Sequence, residues 1–133
     1  MPRFEVFPDA EAVASVALRA ASITDLEVRV YSSIPKDPTY PLAIVQRLGG
    51  NPAERHHLDG PRIQVEVYAE SKSQAHDVAA LARVALFELE GTAVSDPDAY
   101  VTGVEDAVAL QWLPDPATDK DRYVFSVYLY LHA

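Results

Sequence analysis

Cysteine is absent from the 133 residues, which excludes disulfides, thiol chemistry and Cys-based zinc sites. No apolar run approaches the ~18 residues that a membrane span needs. The opening stretch MPRFEVFPDAEA also lacks the apolar segment of a signal peptide. The expectation is a soluble protein made in the cytoplasm, with no membrane partner. Basic charge is scarce, with 11 Lys and Arg against 20 acidic residues and a net charge of −9. Tight binding to a phosphate backbone needs many cationic contacts, so that function is disfavoured. Glycine-rich phosphate cradles are missing too. Gly49-Gly50 belongs to no GxGxxG or GxxxxGK[ST] pattern and leads into a strand, not a helix amino terminus.

What is present is globular: 49% apolar and 23% charged residues in a length that suits one domain. After Pro8, DAEAVASVALRAAS reads as a helix capped by Asp9, with Val13, Val16, Ala17 and Ala20 as a narrow stripe of small residues. Leu26 to Ser32 alternates as a half-buried strand. Three prolines (Pro35, Pro38, Pro41) then make 32–41 a loop. Leu42–Leu48 reads as a second strand stopped by Gly49-Gly50, and GGNPAERHHLDGP (49–61) as a mobile loop. Arg62–Ala69 alternates most cleanly, with Ile63, Val65, Val67 and Ala69 inward and Arg62, Gln64, Glu66 and Tyr68 outward.

Ser71 and Gln74 fit a capping box for a helix whose apolar face is Val78, Leu81, Ala82, Ala85, Leu86 and Leu89, closed by Gly91. Two strands follow, Val104–Leu113 and Arg122–Leu131, and the short polar linker between them favours antiparallel pairing. The predicted order is α-β-β-β-α-β-β. This is a single α+β domain with a mostly antiparallel sheet of about five strands and two helices on one face.

Candidate chemistry is thin. His56-His57 lacks the helical HExxH spacing, and His76 has no triad partner, so no catalytic residue, metal site or cofactor is assigned. Asp96 and Asp98 sit in a loop where carboxylates stay solvated. Two features stand out. Six acids and no base lie between Glu88 and Asp106, either a solvated edge or a surface facing a polyanion without holding it. The last strand is apolar or aromatic on both faces, with Tyr123, Phe125, Val127, Leu129 and Leu131 on one and Val124, Ser126, Tyr128 and Tyr130 on the other. Two helices cannot cover both faces, so a partner is expected, and a second copy is the simplest.

The run YPLAIVQRLGG (40–50), the polar loop, PRIQVEVYAES (61–71), the helix from Ser73, AVALQWLPD (107–115) and RYVFSVYLYL (122–131) resemble the tail terminator, or tail completion, proteins of long-tailed phages, especially those infecting actinobacteria. The resemblance spans most of the chain from about residue 5. It implies a non-enzymatic virion protein of the tail neck that forms a ring, usually a hexamer, capping the tail tube. The ring would end tube growth and offer a docking surface to the head–tail connector, with DNA passing through its lumen unbound. A head–tail adaptor, or more remotely a small α+β ligand-binding domain, is the alternative. In such a ring Tyr128 and Tyr130 are expected at a subunit or tube contact. Arg47, Arg55 and Arg62, bracketing the 49–61 loop, would reach the acidic 88–106 region of a neighbour.

Overall fold

A computed structural model describes residues 7–20, 28–54, 58–95 and 98–132, without the side chains of 51–54. The elements are α1 (Ala10–Ala20), β1 (Arg29–Tyr31), β2 (Leu42–Glu54), β3 (Leu58–Ala69), α2 (Lys72–Phe87), β4 (Thr92–Ser95), β5 (Asp98–Trp112) and β6 (Asp121–His132). One six-stranded sheet runs in the order β1-β2-β3-β6-β5-β4, antiparallel throughout except for the β1–β2 pair. Both helices pack on one face, so the α+β architecture is as expected.

Each helix starts where its cap lies. The Asp9 carboxylate accepts the Glu11 N–H at 3.0 Å, and the Ser71 hydroxyl accepts the Gln74 N–H at 3.1 Å. The face that α1 buries is Ala10, Val13, Ala14 and Leu18, while Val16 is 36% exposed. The turn of α1 is thus rotated from the expected stripe, because the larger Leu18 rather than Val16 enters the core. In α2 the buried set is Ala75, Val78, Ala79, Ala82 and Leu86, and Leu81 points to solvent. The helix ends at Phe87, and Gly91, at φ 77°, turns the chain into β4.

The core joins these helix faces to Ala43 and Val45 of β2, Ile63, Val65 and Val67 of β3, and Phe125, Val127, Leu129 and Leu131 of β6. The inward set expected on β3 is buried as read. Tyr68, on the opposite face, is buried as well, against Leu42 and Ile44 with Tyr31 and Tyr40 beside them.

Three boundaries differ from expectation. Gly49-Gly50 does not stop β2, and residues 49–54 and 58–61 are paired strand, not loop. At φ 72° and 117° the two glycines make a bulge that lets the ladder resume at Gly50↔Pro61. A side chain at Gly50 would collide with the backbone of Gly60, Pro61 and Arg62, so this crossing needs glycine. Second, β5 begins six residues early and pairs with β4, giving six strands. Third, β1 is only three residues long; Leu26, Glu27 and the His56-His57 pair lie outside the described residues.

Candidate assembly surfaces

The last strand divides its two faces as its alternation requires. Phe125, Val127, Leu129 and Leu131 are fully buried under the helices. Tyr128 and Tyr130 lie half-buried on the helix-free face, with ring centroids 6.4 Å apart in a stacked arrangement. The Tyr130 hydroxyl donates to Glu105 Oε1 at 2.7 Å. Register places Tyr128 between Arg62 of β3 and Glu105 of β5.

The rest of that face is a hydrogen-bonded carpet. Arg62 Nε donates to the Ser126 hydroxyl at 3.1 Å. Gln64 donates to one Glu66 oxygen at 2.9 Å and the Tyr68 hydroxyl to the other at 2.8 Å. Arg122 stands 3.5 Å from Glu66 and over the Tyr68 ring. Burial raises the Tyr68 hydroxyl pKa to about 12, with the Glu66 carboxylate adding to the effect against Arg122. Arg122 is thus neutralised by Glu66, while Arg62 is held by an uncharged hydroxyl.

The expected arginine trio is brought only partly together. Arg47 makes a two-pronged pair with Asp59, at 3.1 and 3.2 Å, across the β2–β3 ladder. Its side chain stays 40% exposed. Arg62 lies on the helix-free face, and Arg55 is outside the described residues. The acidic region is also partly spoken for. Asp106 pairs with Arg83 of α2, whose hydrogen bonds hold its carboxyl below the ordinary value. Glu90 accepts the Val104 N–H at 3.1 Å, while Glu88 and Asp98 are exposed. Asp96 lies outside the described residues.

Sequence patterning misses a further group at the end of β5. Trp112 is 43% exposed yet held on two sides, its Nε1 donating to Asp121 at 3.1 Å and Lys72 Nζ lying 4.0 Å from its ring centroid. Leu113 beside it is also exposed. A tryptophan at a strand end carries no periodic signal, so only the fold reveals its clamp. The surface clefts are open, one lined by Pro114, Asp115 and Lys120 and another by Ala17, Ala85 and Leu89. Among the described residues no three His, Asp or Glu side chains gather as metal ligands, and no helix is long and apolar enough to cross a membrane.

Residues 6–128 match the family described as phage tail termination protein. The fold is similar to that of a chain in the virion of a native gene transfer agent (GTA) particle, at a TM-score of 0.55 and 14% identity over 93% of this chain and 87% of that one. The gp17 protein of bacteriophage SPP1 is also similar, at a TM-score of 0.45 and 18% identity over 88% of this chain and 90% of that one. No curated protein matches the sequence.

Proposed function

This chain belongs to the phage tail termination protein family, and from that membership we propose that it closes the tail tube as a homo-oligomeric ring. It is a structural component of the virion's tail end. In the proposed role, six copies cap the finished tube, end its polymerisation and present the surface on which the head–tail connector docks. Genomic DNA passes through the lumen without being held.

The observation that carries this reading is the family match over nearly the whole chain. Two physical features support it. A ring closes through heterologous contacts, so each subunit must offer two different surfaces. The helix-free face with Tyr128 and Tyr130, and the unequal ends of the sheet, supply surfaces of that kind. The second feature is charge. A net charge of −9, with Arg122 of the sheet face already paired to Glu66, disfavours a tight hold on phosphates.

The test is the mass of the purified protein by light scattering, with negative-stain images of the protein mixed with tail tubes. A mass near six copies and density at one tube end are expected. A monomer that leaves tube ends bare sinks the proposal. Duplex DNA should give no gel shift at low micromolar protein in ~150 mM salt, and a shift there would overturn the free-passage element.

A further inference from the structure

The two ends of the sheet are stepped. β1 covers only Leu42–Ile44 of the thirteen-residue β2, and β4 covers only Asp98–Val101 of the fifteen-residue β5. Each long strand therefore runs on past a short edge strand, with one side unpaired among the described residues. Free strand edges are templates for another chain, and proteins usually blunt them. Blunting is visible here at three points. Arg19 Nη2 donates to Val30 O at 2.9 Å on β1, the Glu11 carboxylate accepts Arg47 N–H at 2.8 Å on β2, and Glu90 accepts Val104 N–H on β5. Among the described side chains, none caps β2 beyond Arg47 or the outer side of β4.

We propose that β4 of one copy adds to the open Leu48–Glu54 edge of β2 in the next, so that the sheet continues from subunit to subunit. This deepens the ring reading and rests on it. Three observations point to this pairing. The first is level. Thr92 pairs with Val101, Val101 with Leu131, and Leu131 with Asp59, which lies opposite the Asn51–Glu54 stretch. β4 and the open part of β2 thus stand at the same end of the sheet, on opposite margins.

The second is direction. β2, β6 and β4 run one way and β3 and β5 the other, so copies related by a ring rotation would bring β4 and β2 together as a parallel pair. The third is charge. Residues 88–98 hold four acids and no base, while residues 46–62 hold three arginines and two acids. The acidic margin meets little repulsion from the near-neutral β2 margin, whereas two acidic margins would repel. The partner is a second copy, and main-chain hydrogen bonds would supply the attachment as in other strand additions.

The absence of cysteine makes the test clean, because introduced thiols report only their own positions. Ala53→Cys and Ala93→Cys proteins would be prepared separately, mixed, and treated with a short bismaleimide that bridges neighbouring strands whichever face the thiols take. Arg29→Cys with Gln111→Cys, on the other open stretch, is the comparison pair. A cross-linked dimer is expected in the first mixture, at least tenfold above either protein alone and above the comparison pair. Preferential cross-linking of Arg29→Cys to Gln111→Cys, or of Ala93→Cys to itself, overturns the proposal. A six-copy mass without the expected cross-link overturns the edge pairing and leaves the ring standing. Absence of any oligomer by light scattering overturns the ring and this inference with it.

Discussion

Replacing Tyr128 with aspartate separates fold from assembly, and its cost can be worked from the neighbours. Tyr128 sits on the helix-free face, while the side chains that fill the core from the same strand (Phe125, Val127, Leu129, Leu131) point the other way and stay in place. Truncation therefore opens no cavity under the helices. The stacked contact with Tyr130 is lost, worth ~0.5–1.5 kcal/mol. Aspartate fits strands poorly, adding up to ~1 kcal/mol. The new carboxylate lies directly across from Glu105, which repels it, and from Arg62, which attracts it, so the charge contributions largely offset. The sum is about 0.5–2.5 kcal/mol, and at ~3–4 °C per kcal/mol for a chain of this length the melting midpoint should fall by roughly 2–10 °C. Far-ultraviolet circular dichroism at 25 °C should be unchanged, and the oligomer mass by light scattering should drop. An intact ring would show that Tyr128 is not at a contact. A collapsed fold would show that the helix-free face is as much core as the other.

The β2 bulge makes an equally sharp comparison. Gly50→Ala should cost about 2–4 kcal/mol, since its methyl meets the backbone of the facing strand, whereas Gly49→Ala meets open space and should cost only the ~1–2 kcal/mol of a left-handed residue. Equal midpoints in urea for the two variants would refute the close crossing. In alkali, Tyr68 should ionise near pH 12 when absorbance at the phenolate band is followed with and without Tyr68→Phe. A phenol whose folded pKa lies above its unfolded value near 10 adds stability that is complete below pH 10. That stability is lost as pH rises through 12, so wild type should lose stability over this window more steeply than the Phe variant. Ser71→Ala, which removes the α2 cap, should lower stability by ~1 kcal/mol in denaturant titration, and no change would mean the cap is idle.

Much of the architecture is written in local pattern. The strict alternation of Arg62–Ala69 determines that strand and the face it turns to the core, and the run Arg122–Leu131 determines a strand, because strand period and pleat are local properties. Asp9 and Ser71 mark their helix starts for the same reason, since a cap acts on backbone within three residues. The resemblance to tail terminators is likewise readable along the chain and agrees with the family match. The charge excess is a matter of counting alone.

Other features were decided only when distant strands met. Gly49-Gly50 reads as a stop, because glycine pairs usually end strands. It becomes a bulge only because β3 lies alongside and offers Pro61 for the ladder to resume. β4 has four residues and no periodic signal of its own, and it exists as a strand because β5 is there to pair with it. Arg47, read as a free cation, is taken by Asp59 twelve residues on, and Asp106 by Arg83 on a helix. Composition determined that this protein would be acidic and globular, a charge balance that disfavours tight phosphate-backbone binding. Tertiary pairing decided which charges remain to face a partner and which edges stay open, because both depend on neighbours far away in the chain.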